Sequence, residues 1–379
     1  MNKKIIFLVT EDWYFCSHRL SLACAARDEG YDVVVVTKVS KHKENIERHG
    51  IKVIDLSFKR KDKSIVKSIK IIKNICDIYN MEKPDIVHHI SLQTVVLGSI
   101  AAIITKAPVV INSLTGLGFL FTSNKLVVRL IKVLVVEPTL KLLFSRKNTW
   151  AILQNIDDKR LLMSFDILKD ESSVLIRGSG VDLSLFSGRP ESDETPKIVF
   201  ASRMLKDKGV MEFIEAVKEL KERKVKAVFV LVGDVDEGNP SSIDKHDLEN
   251  LQNNGVLEWW GHQDNMNKVF EQSHIVCLPS HREGLPKVLL EAAAASRPIV
   301  ASDVPGCREI VHDGTNGLLV RVKDSSALAN AIEQLLDNKA LRIEMGINGR
   351  DLVEREFTSE IINRQTLVLY GHITQRMSD

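Results

Sequence analysis

The sequence predicts an α/β chain of two domains, each a parallel sheet with helices on both faces. Three observations carry this expectation. The chain has 379 residues, more than one hydrophobic core usually fills. Short apolar, β-branched runs alternate with helical patterns in the first half, and the alternation then starts again. Between the two series lies SGRPESDETP at 187–196, polar, charged and bracketed by prolines, which reads as a linker.

The strand candidates of the first half fall at 4–9, 32–37, 52–56, 85–88, 108–112 and 149–154. Helical patterns lie between and after them at 17–29, 64–79, 92–106, 125–144 and 157–168. The second half repeats the scheme with strands at 197–201, 227–232, 256–260, 275–278, 298–301 and 317–320. Its helices are expected at 210–223, 245–253, 265–272, 285–296 and 326–336. Strand-then-helix repetition implies parallel strands joined by right-handed crossovers, so both halves are expected to be Rossmann-like. The expected division is 1–186, a linker at 187–196, 197–356, and a terminal helix over 357–379 that packs back on the first domain. Two such domains facing each other across a cleft would place ligands at the carboxyl ends of both sheets.

Composition excludes several classes. Apolar residues make up 44% and charged residues 27%, which excludes disorder, fibre and coiled coil. A net charge of +2 gives no argument for bulk nucleic-acid binding. The balance is uneven, however. Residues 1–182 hold 28 basic and 19 acidic residues, whereas 183–379 hold 24 and 31. The excess sits at 38–83 (13 basic, 6 acidic) and 125–147 (6 basic, 1 acidic), so the first half is expected to face something anionic. The most apolar stretch, 94–105, is well short of the roughly 20 residues a spanning helix needs. The run at 5–9 is too short for a signal peptide. Cys16, Cys24, Cys76, Cys277 and Cys307 form no CxxC pair and read as reduced cytosolic thiols.

Two segments can carry chemistry. In PSHREGLPKVLLEAAAASRPIV (279–300) a strand ends, a loop holds Glu283-Gly284-Leu285-Pro286, and a helix opens near Leu285. The N–H groups after Gly284 would point out of the helix start towards an anion or hydroxyls. Glu291, eight residues after Glu283, would share its helical face, and carboxylates accept hydrogen bonds from sugar hydroxyls. Taken alone, Glu283 could equally be a capping residue and Glu291 an exposed helix charge. In ASRMLKDKG (201–209), Arg203 and Lys208 follow a strand end, where a guanidinium fork and a lysine point charge would complement a diphosphate. Two solvated surface cations are the plain alternative.

Together these segments resemble the retaining glycosyltransferases of GT-B fold family 4. The likeness rests on Ser202-Arg203…Lys208-Gly209, Glu283…Glu291, Val230–Asp234 (VLVGD), Gly180-Val181-Asp182…Phe186 and Asn316-Gly317-Leu318-Leu319-Val320, in that family's order and spacing. It spans nearly the whole chain. VGDVDEGNPSSI, NNGVLEWWG, Ser17-His18-Arg19 and Thr115-Gly116-Leu117-Gly118-Phe119 further resemble the PglA-type enzymes, which extend undecaprenyl-diphosphate-linked sugars. The resemblance implies acceptor binding on the first domain and nucleotide-sugar binding on the second. Catalytic roles would fall to Glu283, Arg203 and Lys208. Donor binding would add Gly233, Gly284, Leu285, Pro286 and Glu291, with the ribose held by Glu291. His18, Arg19, Thr115 and Gly116 would lie on the acceptor side. No metal or other cofactor is expected. The implied reaction moves an N-acetylhexosamine or related sugar from UDP to an undecaprenyl-diphosphate-linked sugar, for surface glycan.

Some features depart from the family's pattern. The segment TEDWYFCS (10–17) lacks the glycine pair many members carry after the first strand, and Thr115 stands where many have histidine. His18, His88 and His89 are the candidates left for any histidine-assisted step. His88-His89 sit on one strand and so point to opposite faces, which argues against a shared metal. Asp234-Val235-Asp236 matches the DxD metal motif of a different glycosyltransferase fold and reads as coincidence here. No G-x-G-x-x-G occurs. The segment KLVVRLIKVLVVEPTLKLLFSRK (125–147) reads as a basic amphipathic helix suited to an anionic membrane surface, or else as a buried helix with snorkelling cations. The expected location is therefore cytoplasmic, peripheral on the inner face of the cell membrane. The rival readings are a UDP-sugar epimerase or hydrolase acting on a soluble substrate, and a catalytically silent membrane scaffold.

Overall fold

The computed structural model describes residues 3–56, 65–117, 132–236 and 238–376. The chain divides into two units: Met1–Ser179 with Ser359–Asp379, and Gly180–Thr358. Each unit is a Rossmann-like layer of parallel strands with helices on both faces.

Unit 1 holds a seven-stranded sheet in the order β3-β2-β1-β4-β5-β6-β7. The strands are β1 Lys4–Glu11, β2 Asp32–Lys38, β3 Lys52–Asp55, β4 Ile86–Ile90, β5 Val109–Leu114, β6 Thr149–Leu153 and β7 Ser173–Leu175. Alternate residues serve opposite faces, and both are covered, so the strands read as unbroken apolar runs. Ile6, Leu8, Val34, Val36, Val87 and Val110 pack under the helices Ile65–Glu82 and Leu92–Ile104. Ile5, Phe7, Val9, Ile86 and Ile111 pack against Phe15 and Leu22 and against Ile362, Leu369, Tyr370 and Ile373 of the last helix, Ser359–Arg376.

Unit 2 holds β8 Lys197–Ala201, β9 Val228–Val232, β10 Glu258–Trp259, β11 Ile275–Leu278, β12 Ile299–Ser302 and β13 Gly317–Val320, ordered β10-β9-β8-β11-β12-β13. One face packs on the helix Lys287–Ala294, the other on Val210–Glu222 and Ser325–Asp337. The strand order reverses between β1 and β4 in unit 1 and between β8 and β11 in unit 2. At such reversals the loops diverge and leave a crevice at the carboxyl ends.

Several expectations are corrected. The segment 187–196 is no linker, because unit 2 stitches it down. Glu191 forms a buried ion pair with Arg342 (2.7 Å), Arg297 donates to the Arg189 carbonyl at 2.9 Å, and the Ser192 carbonyl lies 3.0 Å from His274 Nε2. The chain crosses between units at Ser179/Gly180 and again at Thr358/Ser359. At the first crossing Val181 N donates to the Phe357 carbonyl (2.9 Å), and Val181 and Phe186 are buried in the unit 2 core. The helix expected over 17–29 is two, Asp12–His18 and Leu20–Asp28, broken at Arg19. The helices Lys43–Glu47 and Lys339–Glu356 and the strand β7 were not expected. Gly346 and Gly349 mask the second of these helices in the sequence. A Cβ at Gly346 would lie 2.3 Å from the Ser296 carbonyl oxygen, so glycine permits the close packing there. Of the basic segment at 125–147, the first seven residues lie outside the described residues. The remainder is a π-turn at Lys132–Val136 followed by the helix Glu137–Phe144.

Candidate active site

In unit 2 the loops after β8 and β11 meet at the strand-order reversal. A 3-10 turn, Lys206–Lys208, ends at Gly209, whose φ of 79° starts the helix Val210–Glu222. A Cβ there would lie 2.0 Å from the Pro279 carbonyl oxygen, so only glycine lets the two loops touch. The contact sets Lys208 beside the second loop. Its Nζ donates to Glu283 Oε1 at 2.6 Å, and Ser280 Oγ donates to the same oxygen at 2.7 Å. Ser280 is fully buried and Glu283 is 9% exposed, so the carboxylate is held by a cation and a hydroxyl where water has little access. The His281 N–H also donates to the Asp207 carbonyl (2.9 Å), which fastens one loop to the other.

The segment after β9 completes this end of the sheet. Gly233 has φ 129°, and a Cβ would lie 1.9 Å from the Ser202 carbonyl oxygen, so the backbone passes directly against the end of β8. Arg203 Nη1 reaches Asp236 Oδ2 at 2.9 Å. Backbone bonds join the two loops: Met204 N to the Asp234 carbonyl (3.0 Å), Ile243 N to the Met204 carbonyl (2.9 Å) and Lys206 N to the Ser241 carbonyl (2.8 Å). Asp234 Oδ1 accepts from the His262 N–H at 3.0 Å, a tie to the loop after β10.

The helix after β11 begins at Lys287, with Pro286 as its extended N-cap. Glu283 therefore lies in the preceding loop and not on the helix, and the shared helical face expected for Glu283 and Glu291 is absent. Glu291 sits in the second turn, 3.3 Å from Lys287 Nζ. Burial pushes its carboxyl above the usual range, and Lys287 opposes that shift only in part. Leu285 packs on the unit 2 core, and a Cβ at Gly306 would lie 2.5 Å from the Gly284 carbonyl oxygen. Thus Gly284 is pressed against the start of the next helix, Pro305–Arg308.

The expected acceptor-side residues lie in unit 1. Thr115 and Gly116 follow β5 directly, and Gly116 has φ 141°, which favours glycine; Gly118 and Phe119 lie outside the described residues. His18 closes the helix Asp12–His18, stacked on Tyr14 with ring centroids 4.2 Å apart. Arg19 is 5% exposed, and its Nη1 donates to the Gly178 carbonyl at 3.3 Å. In place of a glycine pair, the helix that follows β1 directly opens on buried Asp12, which accepts from Ser40 N (2.6 Å), Ser40 Oγ (2.5 Å), His42 N (3.1 Å) and Trp13 N (2.8 Å). Burial alone would raise that carboxyl; the four donors outweigh it and hold it below the usual range.

His88 and His89 point to opposite faces of the sheet. His88 Nδ1 lies 2.6 Å from Tyr370 Oη and Nε2 lies 2.6 Å from Ser113 Oγ. His89 Nδ1 lies 2.7 Å from Asn112 Oδ1 and Nε2 lies 2.9 Å from Tyr79 Oη. With both rings buried and both nitrogens engaged, neither is placed for proton transfer to a substrate. Among the described residues no group of three or more His, Cys, Asp or Glu is placed to hold a metal ion.

Asp236 and Ser280 are site residues that sequence reasoning missed. The first was set aside within a coincidental DxD; the second carried no signal beyond its place after a strand.

Comparison with known proteins follows the same outline. A glycosyl transferases group 1 model matches residues 185–352, and a glycosyl transferase 4-like model matches residues 4–154. The capsular polysaccharide biosynthesis glycosyltransferase CapM of Staphylococcus aureus is 25% identical, over 98% of this chain and 97% of its own. The N,N'-diacetylbacillosaminyl-diphospho-undecaprenol alpha-1,3-N-acetylgalactosaminyltransferase of Campylobacter jejuni is 26% identical, over 95% and 96%. Among solved structures, Anabaena HepE in complex with UDP and glucose has the same fold, with a TM-score of 0.77 at 18% identity over 98% of this chain and all of that one. The chain is a glycosyltransferase and belongs to family 4 of the GT-B fold.

Proposed function

We propose that the protein is a retaining glycosyltransferase that moves a sugar, of the N-acetylhexosamine class, from UDP to an undecaprenyl-diphosphate-linked sugar in surface-glycan assembly. The observation that carries the donor side is Lys208, Glu283 and Ser280 converging at the strand-order reversal of unit 2. In this reading Lys208 and Arg203 bind the donor diphosphate. As the bond between the anomeric carbon and the β-phosphate oxygen breaks, negative charge collects on the leaving UDP and the two cations offset it. Lys208 then no longer neutralises Glu283, whose carboxylate accepts hydrogen bonds from the sugar hydroxyls. Gly233 and the 284–286 backbone line the same end of the sheet. Glu291, whose carboxyl burial pushes above the usual range, would take the ribose hydroxyls. No metal is required, because cations of the chain meet the diphosphate.

The acceptor class is supported by the Campylobacter relative, whose name specifies a diphospho-undecaprenol acceptor. The relatives reported above are transferases and lend no support to an epimerase or hydrolase. Contact with an anionic bilayer is supported by the surface of unit 1. Val133, Leu134, Val135 and Leu142 are exposed beside Lys141. Val66 and Ile69 are exposed beside Lys67, Lys70 and Lys73 on the helix Ile65–Glu82, which covers the same side of the sheet. Among the described residues no helix is long and apolar enough to cross a membrane, so this would be surface contact.

The test is UDP release from a panel of UDP-sugars, with and without a synthetic undecaprenyl-diphosphate-linked sugar. Acceptor-dependent release that survives EDTA is expected, with Lys208→Ala lowering kcat/KM about 100-fold or more. Release independent of the acceptor would overturn the reading.

A further inference from the structure

Each donor-side cation faces a carboxylate, Lys208 facing Glu283 and Arg203 facing Asp236. Glu283 has a use for its charge once a donor arrives. Asp236 has no part in the donor reading, yet its position is strongly specified. Its N–H donates to Ser242 Oγ (3.0 Å), and its carbonyl accepts from the Asn239 N–H (2.7 Å). The backbone bonds between 204–206 and 234–243 then tie Asp236 and Arg203 into one ribbon. Their 2.9 Å contact is therefore set by the fold. It also remains easy to open, because the Arg203 side chain is 44% exposed and that of Asp236 23%, and exposed pairs are weak and screened by salt.

We propose that Asp236 is a built-in competitor of the donor diphosphate for Arg203, and that it sets the affinity for the nucleotide. It holds the guanidinium in place while the site is empty, yields it to phosphate on binding, and recaptures it as UDP departs. This rests on the reading that Arg203 binds the diphosphate. Competition also has a definite sign. A residue that merely supported the loop would weaken nucleotide binding when altered, whereas removal of a competing charge strengthens it.

The experiment is UDP binding by calorimetry to the full chain and to Asp236→Asn, Arg203→Ala and the double variant. Asp236→Asn keeps an oxygen acceptor and the backbone bonds. It is expected to lower the Kd for UDP about two- to fivefold, less so at high salt. In the Arg203→Ala background the same change should have almost no effect, since the competition runs through that guanidinium. Asp236→Ser carries the same expectation and serves if the asparagine variant folds poorly. Equal or weaker UDP binding by the Asp236 variants, with Arg203→Ala impaired, overturns the competitor role and leaves the diphosphate reading standing. Undiminished UDP binding by Arg203→Ala overturns the reading itself.

Discussion

At the scale of single residues, the site and the core use opposite electrostatic strategies. Lys208 and Glu283 set opposite charges in one contact, whereas burial disfavours the charged form of His88 and His89. Burial dominates both histidine shifts. His88 is pushed well below the ordinary value, with the Arg19 charge adding to the effect, and His89 falls to about 4 despite its bond to Asn112. A histidine whose folded value is depressed stabilises the fold fully above about pH 6.5 and loses that contribution as pH falls towards the folded value. Unfolding in urea should therefore show stability dropping between pH 6.5 and 5, by up to about 1.4 kcal/mol per pH unit for each ring. His89→Gln should remove one ring's share of that slope; an unchanged slope would mean that His89 already titrates normally. Residues with a motif were legible in the sequence, such as Arg203, Lys208, Gly233 and Glu283. Asp236 and Ser280 were not, because their meaning lies in a partner 33 residues away for one and in complete burial for the other.

At the scale of elements, the glycines make the site possible. Gly209 combines a left-handed backbone with a Cβ position inside the Pro279 carbonyl. Gly209→Ala should force the loops after β8 and β11 apart and cost about 2–4 kcal/mol, visible as a lower Tm of unit 2. Donor turnover should fall further than the melting shift explains, since Lys208 then loses its register with Glu283. Retained Tm with lost turnover would instead place the damage in chemistry alone. Alternating strands and helices were readable because most strands are apolar on both faces. The helix Lys339–Glu356 escaped because Gly346 and Gly349 interrupt its pattern, and the start of the helix after β11 was set too early because Pro286 can precede or enter a helix. The 187–196 segment looked like a linker from composition. Its Glu191, Asp193 and Glu194 pair with Arg342, Lys339 and Lys197.

At the scale of the molecule, the chain leaves unit 1, builds unit 2 and returns. Ile362, Leu369, Tyr370 and Ile373 of the returning helix are nearly or wholly buried, and Tyr370 holds His88. At about 1.5–3 kcal/mol for each apolar side chain, their burial is on the order of 6–12 kcal/mol. That is comparable to the whole stability of a typical domain, about 5–15 kcal/mol. A chain ending at Thr358 should therefore lose the calorimetric transition of unit 1 while unit 2 melts as before; two intact transitions would show that the returning helix is dispensable. The path also dictates an order of manufacture. A ribosome delivers a chain from its amino end towards its carboxyl end, so every residue of unit 2 emerges before the helix that covers Ile5, Phe7 and His88. Unit 2 can close while synthesis continues, whereas the sheet of unit 1 stays open until the helix Ser359–Arg376 is made. A helix made after unit 2 seals a sheet begun before it.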